Sequence, residues 1–365
     1  MDQDVTLTRD HYDLELQQRS GGPHNDNRAK QNMLGPNPAM IQRCFGDMEA
    51  QQLPLVLIHD GGGTCFDYRL LERQGRAVYA IHNPRFRSGR PWKGGIREMA
   101  GVYVELVRSL MPQGGAIILG GWSLGGMVAL EMAKVLEGDT KVGVAGVVMV
   151  DSVAPSEQGG PTRSAAEAWL PNQIRLPDLS MSCPAEIRVG VFRSLKQAST
   201  LVSTWTPPTW DAGNPSVWVQ GGVEASVGEH TVPCTPDFLA ASPRLRGPSL
   251  AADDGDGASG RKLTLDLTTT ERTRGKRQTR RRPMVVLLRA MGRVPTPRGV
   301  TSRVDLQRHE RLLGWQRHGC RLVDVVRDVP GDHFSLFSSE HVGGLSAELQ
   351  GSCQAISQYY WAGLA

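Results

Sequence analysis

Short aliphatic runs alternate with helical stretches in the first half of this 365-residue chain, and the alternation restricts the fold most. Four runs that are apolar at successive positions predict strands buried on both faces: residues 55–58, 77–81, 116–119 and 144–150. Apolar residues from Ile96 to Leu110 recur three or four positions apart, which predicts an amphipathic helix. Met127 to Leu136 predicts another helix. Strands that alternate with helices predict a parallel sheet covered on both faces.

The second half of the chain continues this pattern only after a long insertion. Strand-like runs return at Met284–Leu288 and at Leu322–Val326. Within the insertion, apolar residues from Ile187 to Trp205 share one helical stripe, which predicts a helix covering the sheet edge. The predicted fold class is therefore α/β, with a mostly parallel sheet, helices on both faces and an inserted helical lid.

Composition divides the chain further. Residues 1–35 are polar without an apolar period and predict a disordered tail. We expect the core to span 36–152 and 283–365, separated by a lid insertion at 153–282. Glycine, proline and serine without period, followed by a basic run, make 214–282 irregular.

The sequence Gly121-Trp122-Ser123-Leu124-Gly125 indicates a nucleophilic serine. The pentapeptide alone is a weak signal, since a chain with 42 glycines produces it by chance. Its context is specific, because a predicted strand precedes it and a predicted helix follows. The alternative is an ordinary glycine-rich turn, such as one that holds a phosphate. We expect Ser123 to be the nucleophile.

A serine hydroxyl needs a base, and hydrolases with such a turn place the residues in the chain order serine, acid, histidine. His333 lies in a loop after the last predicted strand and is the expected base. His59 and His82 also follow strands and could line the pocket, but they precede Ser123.

Asp151 directly follows the strand next after that of Ser123, so its carboxylate is expected at the same sheet edge. A turn or cap role is the alternative reading of such a residue. Asp305 is a second candidate acid, in a predicted helix, while Asp332 adjoins His333 and would have to fold back to reach it. We favour Asp151, and expect Asp151→Asn to lower turnover severely and Asp305→Asn to do little.

Backbone N–H groups are expected to stabilise an oxyanion near Ser123. Leu124 supplies one, and Gly61 or Gly62, in the loop after the first buried strand, supplies the other. Trp122 and Tyr68 are candidate walls of the substrate pocket.

These motifs, in this order, resemble the thioesterases that terminate fungal polyketide synthases and nonribosomal peptide synthetases. The resemblance runs from about Asn37 to Ile356 and skips much of the insertion. It implies an α/β-hydrolase fold and supports Asp151 as the acid. The matching segments are 57–64, 81–84, 95–100, 121–126, 150–152 and 331–334.

The resemblance implies a free-standing thioesterase that acts on an acyl-carrier or peptidyl-carrier protein of a synthase, or on an acyl-CoA, in secondary metabolism. A carboxylester hydrolase or acyltransferase with the same residues is one alternative. A hydrolase-fold binding protein without activity is another.

Composition bears on compartment and partners. The net charge is only +4, so no nucleic-acid partner is expected. Neither a secretory signal nor an apolar stretch long enough for a bilayer is present, so we expect a cytoplasmic protein without a membrane partner. Six scattered cysteines show no metal-ligand spacing, and the expected chemistry requires neither metal nor cofactor.

The segment 214–282 has no counterpart in the resemblance, whereas residues 205–208 and 283–290 would join naturally across it. We hypothesise a retained intron in the gene model. If the segment is real, its basic run would meet an acidic carrier protein or an import receptor, or form a solvated loop. The basic residues are Arg272, Arg274, Lys276, Arg277, Arg280, Arg281 and Arg282.

Peptide mapping of the purified native protein tests this hypothesis. A retained intron predicts a peptide that joins the sequence before 214 to the sequence after 282, and no peptide from between them. Recovery of peptides from within 214–282 would contradict it.

Overall fold

The computed structural model describes residues 34–155, 183–210, 282–318 and 322–363. The predicted tail at 1–35 and the irregular segment at 214–282 lie outside these ranges, except for residues 34, 35 and 282. Arg282 pairs with Asp324, so this last residue of the predicted insertion is attached to the core.

Seven strands of the described residues form one mixed sheet with the spatial order β1-β3-β2-β4-β5-β6-β7. Only the pairing of β1 with β3 is antiparallel. The strands are β1 (Ala39–Gln42), β2 (Leu55–Ile58), β3 (Val78–Ile81), β4 (Gly115–Trp122), β5 (Val142–Val150), β6 (Met284–Ala290) and β7 (Val325–Val329). The predicted mostly parallel sheet is confirmed.

The last strand and the segment around Asp305 differ from the sequence prediction. The last strand begins at Val325 instead of Leu322, because Asp324 is turned inward to accept hydrogen bonds from Arg282 and the Val285 N–H. Asp305 lies in a 3-10 turn, Arg303–Asp305, not in a longer helix.

Helices cover both faces of the sheet. They are α1 (Asp47–Ala50), α2 (Gly95–Leu110), α3 (Leu124–Val135), α4 (Ala185–Thr204) and α5 (Val342–Ala362). The long C-terminal helix α5 was not predicted from the sequence. None of the helices in the described ranges combines the length and apolarity that a bilayer crossing requires.

The side chains of each central strand alternate between two cores, as the two-residue period of a strand requires. On β2, Val56 and Ile58 join the core formed with α2 and α3. Leu55 and Leu57 join the opposite core, which includes Leu345 of α5. Fully apolar strands are therefore explained by burial on both faces.

The helix α4 lies within the predicted lid insertion and packs on the loop that follows β2. A Cβ on Gly61 would meet Leu195 and Ala198 of α4 at 3.2 and 3.3 Å. At its C-terminal end, Trp205 donates a buried hydrogen bond to Glu131 of α3 at 2.9 Å. The helix is thus fixed to the core near the end of β2; the bounds of the insertion stay a prediction.

The crossing of β4 into α3 depends on glycines that allow two backbones to touch. A Cβ on Gly121 would lie 2.7 Å from the Ile58 carbonyl oxygen, and one on Gly125 would collide with the carbonyl oxygens of Ile58 and His59. Since backbone atoms of a central strand cannot move aside, no larger residue fits there.

We predict that Gly125→Ala destabilises the fold by about 2–3 kcal/mol or more, because the added methyl group overlaps main-chain oxygens. Urea unfolding monitored by circular dichroism measures the change. Gly101→Ala is the matched control, since Gly101 lies in α2 with nothing within 4 Å of its Cβ position. This variant should gain about 0.5–1 kcal/mol from helix propensity. Equal stability of the two variants would contradict the close approach.

Candidate active site

Ser123 occupies the single residue between β4 and α3, in a backbone conformation that few side chains adopt. Its φ is 56° and its ψ is −118°. Its N–H donates to the Val150 carbonyl at 2.9 Å, and its own carbonyl accepts a hydrogen bond from the Ser152 hydroxyl at 2.7 Å. These bonds to the end of β5 hold a strained residue at the carboxyl edge of the sheet, partly open to solvent.

Asp151 follows β5 directly and lies beside Ser123, because Trp122 and Val150 are paired in register at the ends of adjacent strands. It too has a positive φ, 45°, and its N–H donates to the Leu288 carbonyl at 2.7 Å. The carboxylate has no solvent exposure. Its Oδ2 lies 2.8 Å from Nδ1 of His333. The structure thus brings the predicted acid and base together at the strand end next to Ser123.

The contact with Asp151 fixes the tautomer of His333. An ionised carboxylate only accepts hydrogen bonds, so Nδ1 carries the proton and Nε2 is left as the basic nitrogen. The imidazole is 3% exposed and lies between aromatic rings, with centroids 5.4 Å from Trp122 and 4.9 Å from Phe334. Within the described residues, no hydrogen bond joins the Ser123 hydroxyl to this imidazole; such bonds often form fully only with substrate bound.

Asp332 is directed away from His333, as its sequence position suggested. Its carboxylate accepts hydrogen bonds from the Phe334 N–H at 3.0 Å and the Ser335 hydroxyl at 2.8 Å. It closes the turn that carries the histidine. This residue therefore shapes the loop, and within the described residues no hydrogen bond joins its carboxylate to the imidazole.

Arg308 joins the site although sequence reasoning did not identify it. Its guanidinium donates to both carboxylate oxygens of Asp151, with Nη2 2.7 Å from Oδ2, and to the Ala290 carbonyl at 3.0 Å. Its Nε donates to Asp305 at 3.0 Å. No local pattern signals this contact, since Arg308 lies in an arginine-rich stretch that is typical of an exposed surface.

The charge state of Asp151 follows from these contacts. Burial alone would raise its pKa, but hydrogen bonds from Arg308 and His333 outweigh burial and lower the pKa to about 2. The same carboxylate raises the pKa of the Arg308 guanidinium against the effect of burial. Asp151 is therefore ionised across the physiological range.

The N–H groups of Gly61 and Gly62, in the loop after β2, differ in their hydrogen bonding. The Gly62 N–H donates to the Asp60 carboxylate at 3.0 Å, and burial followed by the nearby Asp67 raises the pKa of Asp60 to about 7. Within the described segments the Gly61 N–H donates no hydrogen bond. Leu124 is the first residue of α3, where N–H groups have no partner inside the helix. Of the predicted donors, the N–H groups of Gly61 and Leu124 thus have no acceptor among the described residues, whereas the Gly62 N–H has one.

His59 supports this loop and is neutral. Burial lowers its pKa to about 4. Since the Asp60 carbonyl can only accept, Nδ1 of His59 donates to it and Nε2 accepts from the Tyr103 hydroxyl at 2.6 Å. His82, the other histidine that follows a strand, has a pKa of about 4 because of burial.

The two candidate pocket walls differ in their contacts. Trp122 is 5% exposed and packs on His333 and Phe337. The Tyr68 hydroxyl donates to the Ile58 carbonyl at 2.6 Å and accepts from the Trp122 N–H at 2.9 Å, so it ties β2 to β4 below the turn. Contact of either side chain with substrate stays a prediction. No cluster of three or more His, Cys, Asp or Glu side chains in the described ranges is arranged to hold a metal ion.

Comparisons with known proteins show related sequences and a related fold. Residues 53–176 match the model of the thioesterase domain family. The probable thioesterase gloN of Glarea lozoyensis is 31% identical over 330 residues, which cover 88% of this chain and 99% of that protein. A segment of the nonribosomal peptide synthetase imqB of Aspergillus flavus, 8% of that protein, is 28% identical over 90% of this chain.

A solved structure shows the same fold. A four-domain nonribosomal peptide synthetase bound to AMP and glycine matches 91% of this chain with 21% of its own length, at a TM-score of 0.50 and 18% identity. The sheet order, the covering helices and this match identify an α/β-hydrolase fold. The similarity to gloN over nearly the whole of both chains shows that this chain belongs to the thioesterase family.

Proposed function

We propose that the protein cleaves acyl thioesters through an acyl-enzyme on Ser123, with His333 as the base and Asp151 as the acid. The observation that carries the proposal is the 2.8 Å contact between His333 Nδ1 and the buried Asp151 carboxylate, at the strand end beside Ser123. It leaves Nε2 of His333 as a proton acceptor at the carboxyl edge of the sheet. Serine, acid and base arranged in this way support nucleophilic acyl transfer.

In the acylation step, Ser123 Oγ attacks the thioester carbonyl carbon while its proton passes to Nε2 of His333. The π electrons of the carbonyl move onto its oxygen, which becomes an oxyanion. Asp151 stabilises the imidazolium that forms on His333. When the carbon–sulfur bond breaks, the sulfur takes the proton from His333 and leaves as a thiol. The acyl group stays on Ser123 as an oxygen ester.

Deacylation reverses these roles with a new nucleophile. Water, or a hydroxyl or amine of the acyl chain, gives its proton to Nε2 of His333 and attacks the ester carbon. The proton then passes to Ser123 Oγ as the ester bond breaks. Water releases an acid, whereas an internal nucleophile releases a ring.

The oxyanion is held by the N–H groups of Gly61 and Leu124 in this proposal. Neither donates a hydrogen bond to a loop or side-chain acceptor in the part of the chain that the structure describes, whereas the Gly62 N–H donates to Asp60. The positive end of α3 lies at Leu124 and favours the same charge. We therefore assign the role to Gly61 in preference to Gly62.

The substrate we propose is an acyl group on the carrier protein of a polyketide or nonribosomal peptide synthase, or on CoA, in secondary metabolism. The similarity to a segment of a nonribosomal peptide synthetase supports this class. The helix α4 packs on the loop that follows β2, which contains Gly61 and is called the Gly61 loop below. In this proposal the helix forms a wall for the acyl chain.

We predict that Ser123→Ala and His333→Ala lower kcat for an acyl thioester by about 10⁴-fold or more, and that Asp151→Asn lowers it by roughly 10³-fold or more. Hydrolysis of N-acetylcysteamine thioesters, followed by thiol release, measures these rates. Asp328→Asn is the matched control, because Asp328 is a half-buried carboxylate that pairs with Arg289 on the same sheet. Asp151→Asn with unchanged kcat would contradict the assigned acid.

The leaving group separates a thioesterase from a carboxylester hydrolase of the same mechanism. A matched oxygen ester should give a kcat/KM well below that of the thioester for every acyl chain tested. Equal or faster cleavage of the oxygen ester would favour the carboxylester hydrolase. Absence of turnover with thioesters and oxygen esters alike would favour the binding protein.

A further inference from the structure

Two oppositely charged side chains lie behind the Asp151–His333 pair and carry no role in the mechanism above. Arg308 and Asp305 are buried, with side chains 4% and 2% exposed, and Nε of Arg308 donates to Asp305 Oδ1 at 3.0 Å. The second oxygen of Asp305 accepts the Val294 N–H at 2.7 Å. Both residues lie in the segment that follows β6, so this segment closes over the end of β5.

Arg308 completes the donor set of the Asp151 carboxylate. Oδ1 accepts from the Ala290 N–H at 2.9 Å and from Nη1 of Arg308, while Oδ2 accepts from Nη2 of Arg308 and Nδ1 of His333. A guanidinium bound to both oxygens fixes the carboxylate plane. That plane sets the direction in which the imidazole is held.

A buried guanidinium in this position has an electrostatic consequence. An ionised acid stabilises the imidazolium that forms when Ser123 is deprotonated, but Arg308 cancels the charge of Asp151 at short range. Asp305 adds a second negative charge to the buried group. The cluster of Asp151, Arg308 and Asp305 thus holds two negative charges and one positive charge, a net charge of −1. When His333 is protonated, its positive charge brings the net charge of the four side chains to zero.

We propose that Arg308 and Asp305 are positioning residues that act as a charge-balanced pair. Arg308 fixes the Asp151 carboxylate, and Asp305 offsets the charge of Arg308 so that Asp151 still stabilises the His333 imidazolium. The inference rests on the proposed roles of Ser123, His333 and Asp151. It replaces the expectation that Asp305→Asn does little.

Other charged groups face this region and are unchanged by the test. Asp332 and His341 lie around the His333 loop, and Arg303 donates to Ser199 of α4. Arg289 and Asp328 pair across the ends of β6 and β7. Asp60 and His59 lie in the Gly61 loop and His82 follows β3. These groups are common to the wild type and every variant below, so they cannot give shifts of opposite sign.

The test is the pH dependence of Ser123 labelling by a fluorophosphonate, which needs a neutral His333 but no acyl substrate. In Asp305→Asn the imidazolium loses a negative charge nearby, so the acid limb of the rate should move to lower pH by about half a unit or more. In Arg308→Gln a positive charge is lost, so the limb should move to higher pH by a similar amount, about half a unit or more. The double variant should return close to the wild-type midpoint.

The plateau rate gives the second readout. Arg308→Gln should lower it roughly 10- to 100-fold, because the carboxylate is less well fixed. Arg308→Lys keeps the charge and should hold the wild-type midpoint with a lower plateau. If Arg308→Gln does not fold, Arg308→Lys takes its place. Asp305→Asn is then measured both in the wild-type background and in the Arg308→Lys background. Arg311→Gln is the control, since Arg311 is 46% exposed on the same segment and should change neither quantity.

Two outcomes separate this inference from the proposed function. If the wild type is not labelled at Ser123, the nucleophile assignment fails. If the wild type is labelled but the midpoints of Asp305→Asn and Arg308→Gln move in the same direction, or do not move, the charge-balanced pair is overturned. Loss of packing alone predicts lower plateaus without opposite shifts.

Discussion

The buried carboxylate of Asp151 is the constraint on which the rest of the site depends. A carboxylate without solvent contact is costly unless hydrogen-bond donors surround it. Its donors come from distant parts of the chain: the Ala290 N–H at the end of β6, Arg308 in the segment beyond it, and His333 in the loop after β7. The demand for donors therefore gathers three segments at one strand end. The pKa of about 2 that results keeps Asp151 ionised.

The position of Ser123 depends on close contact between backbone segments, whereas that of Asp151 depends on charge. Gly121 and Gly125 let β4 and α3 approach the end of β2, so the turn at Ser123 lies next to the Gly61 loop. The N–H of Ser123 donates to Val150, directly before Asp151. Close packing and charge thus meet at neighbouring strand ends, and Ser123, Asp151 and His333 lie at one edge of the sheet.

The sequence predicted the parts of this fold that local pattern determines. The runs at 55–58 and 144–150 are predictable as buried strands because both of their faces are apolar. The sharp turn at Ser123 is predictable because glycines stand where it needs them, while the catalytic role of Ser123 stays a prediction. The helix α5 was missed, although Leu345, Leu349, Cys353 and Ile356 follow a helical period. Arg308 and Asp305 could not be found, since only the tertiary fold brings their segment to Asp151. Long-range pairing of charges leaves no local pattern.

Trapping of the acyl-enzyme tests the central claim most directly. The protein is mixed with an N-acetylcysteamine thioester, quenched in acid within the first turnovers, digested and examined by mass spectrometry. We expect the added mass of the acyl group on the peptide that contains Ser123, and no such addition in Ser123→Ala. An acyl group on another residue, or wild-type turnover by Ser123→Ala, would contradict it.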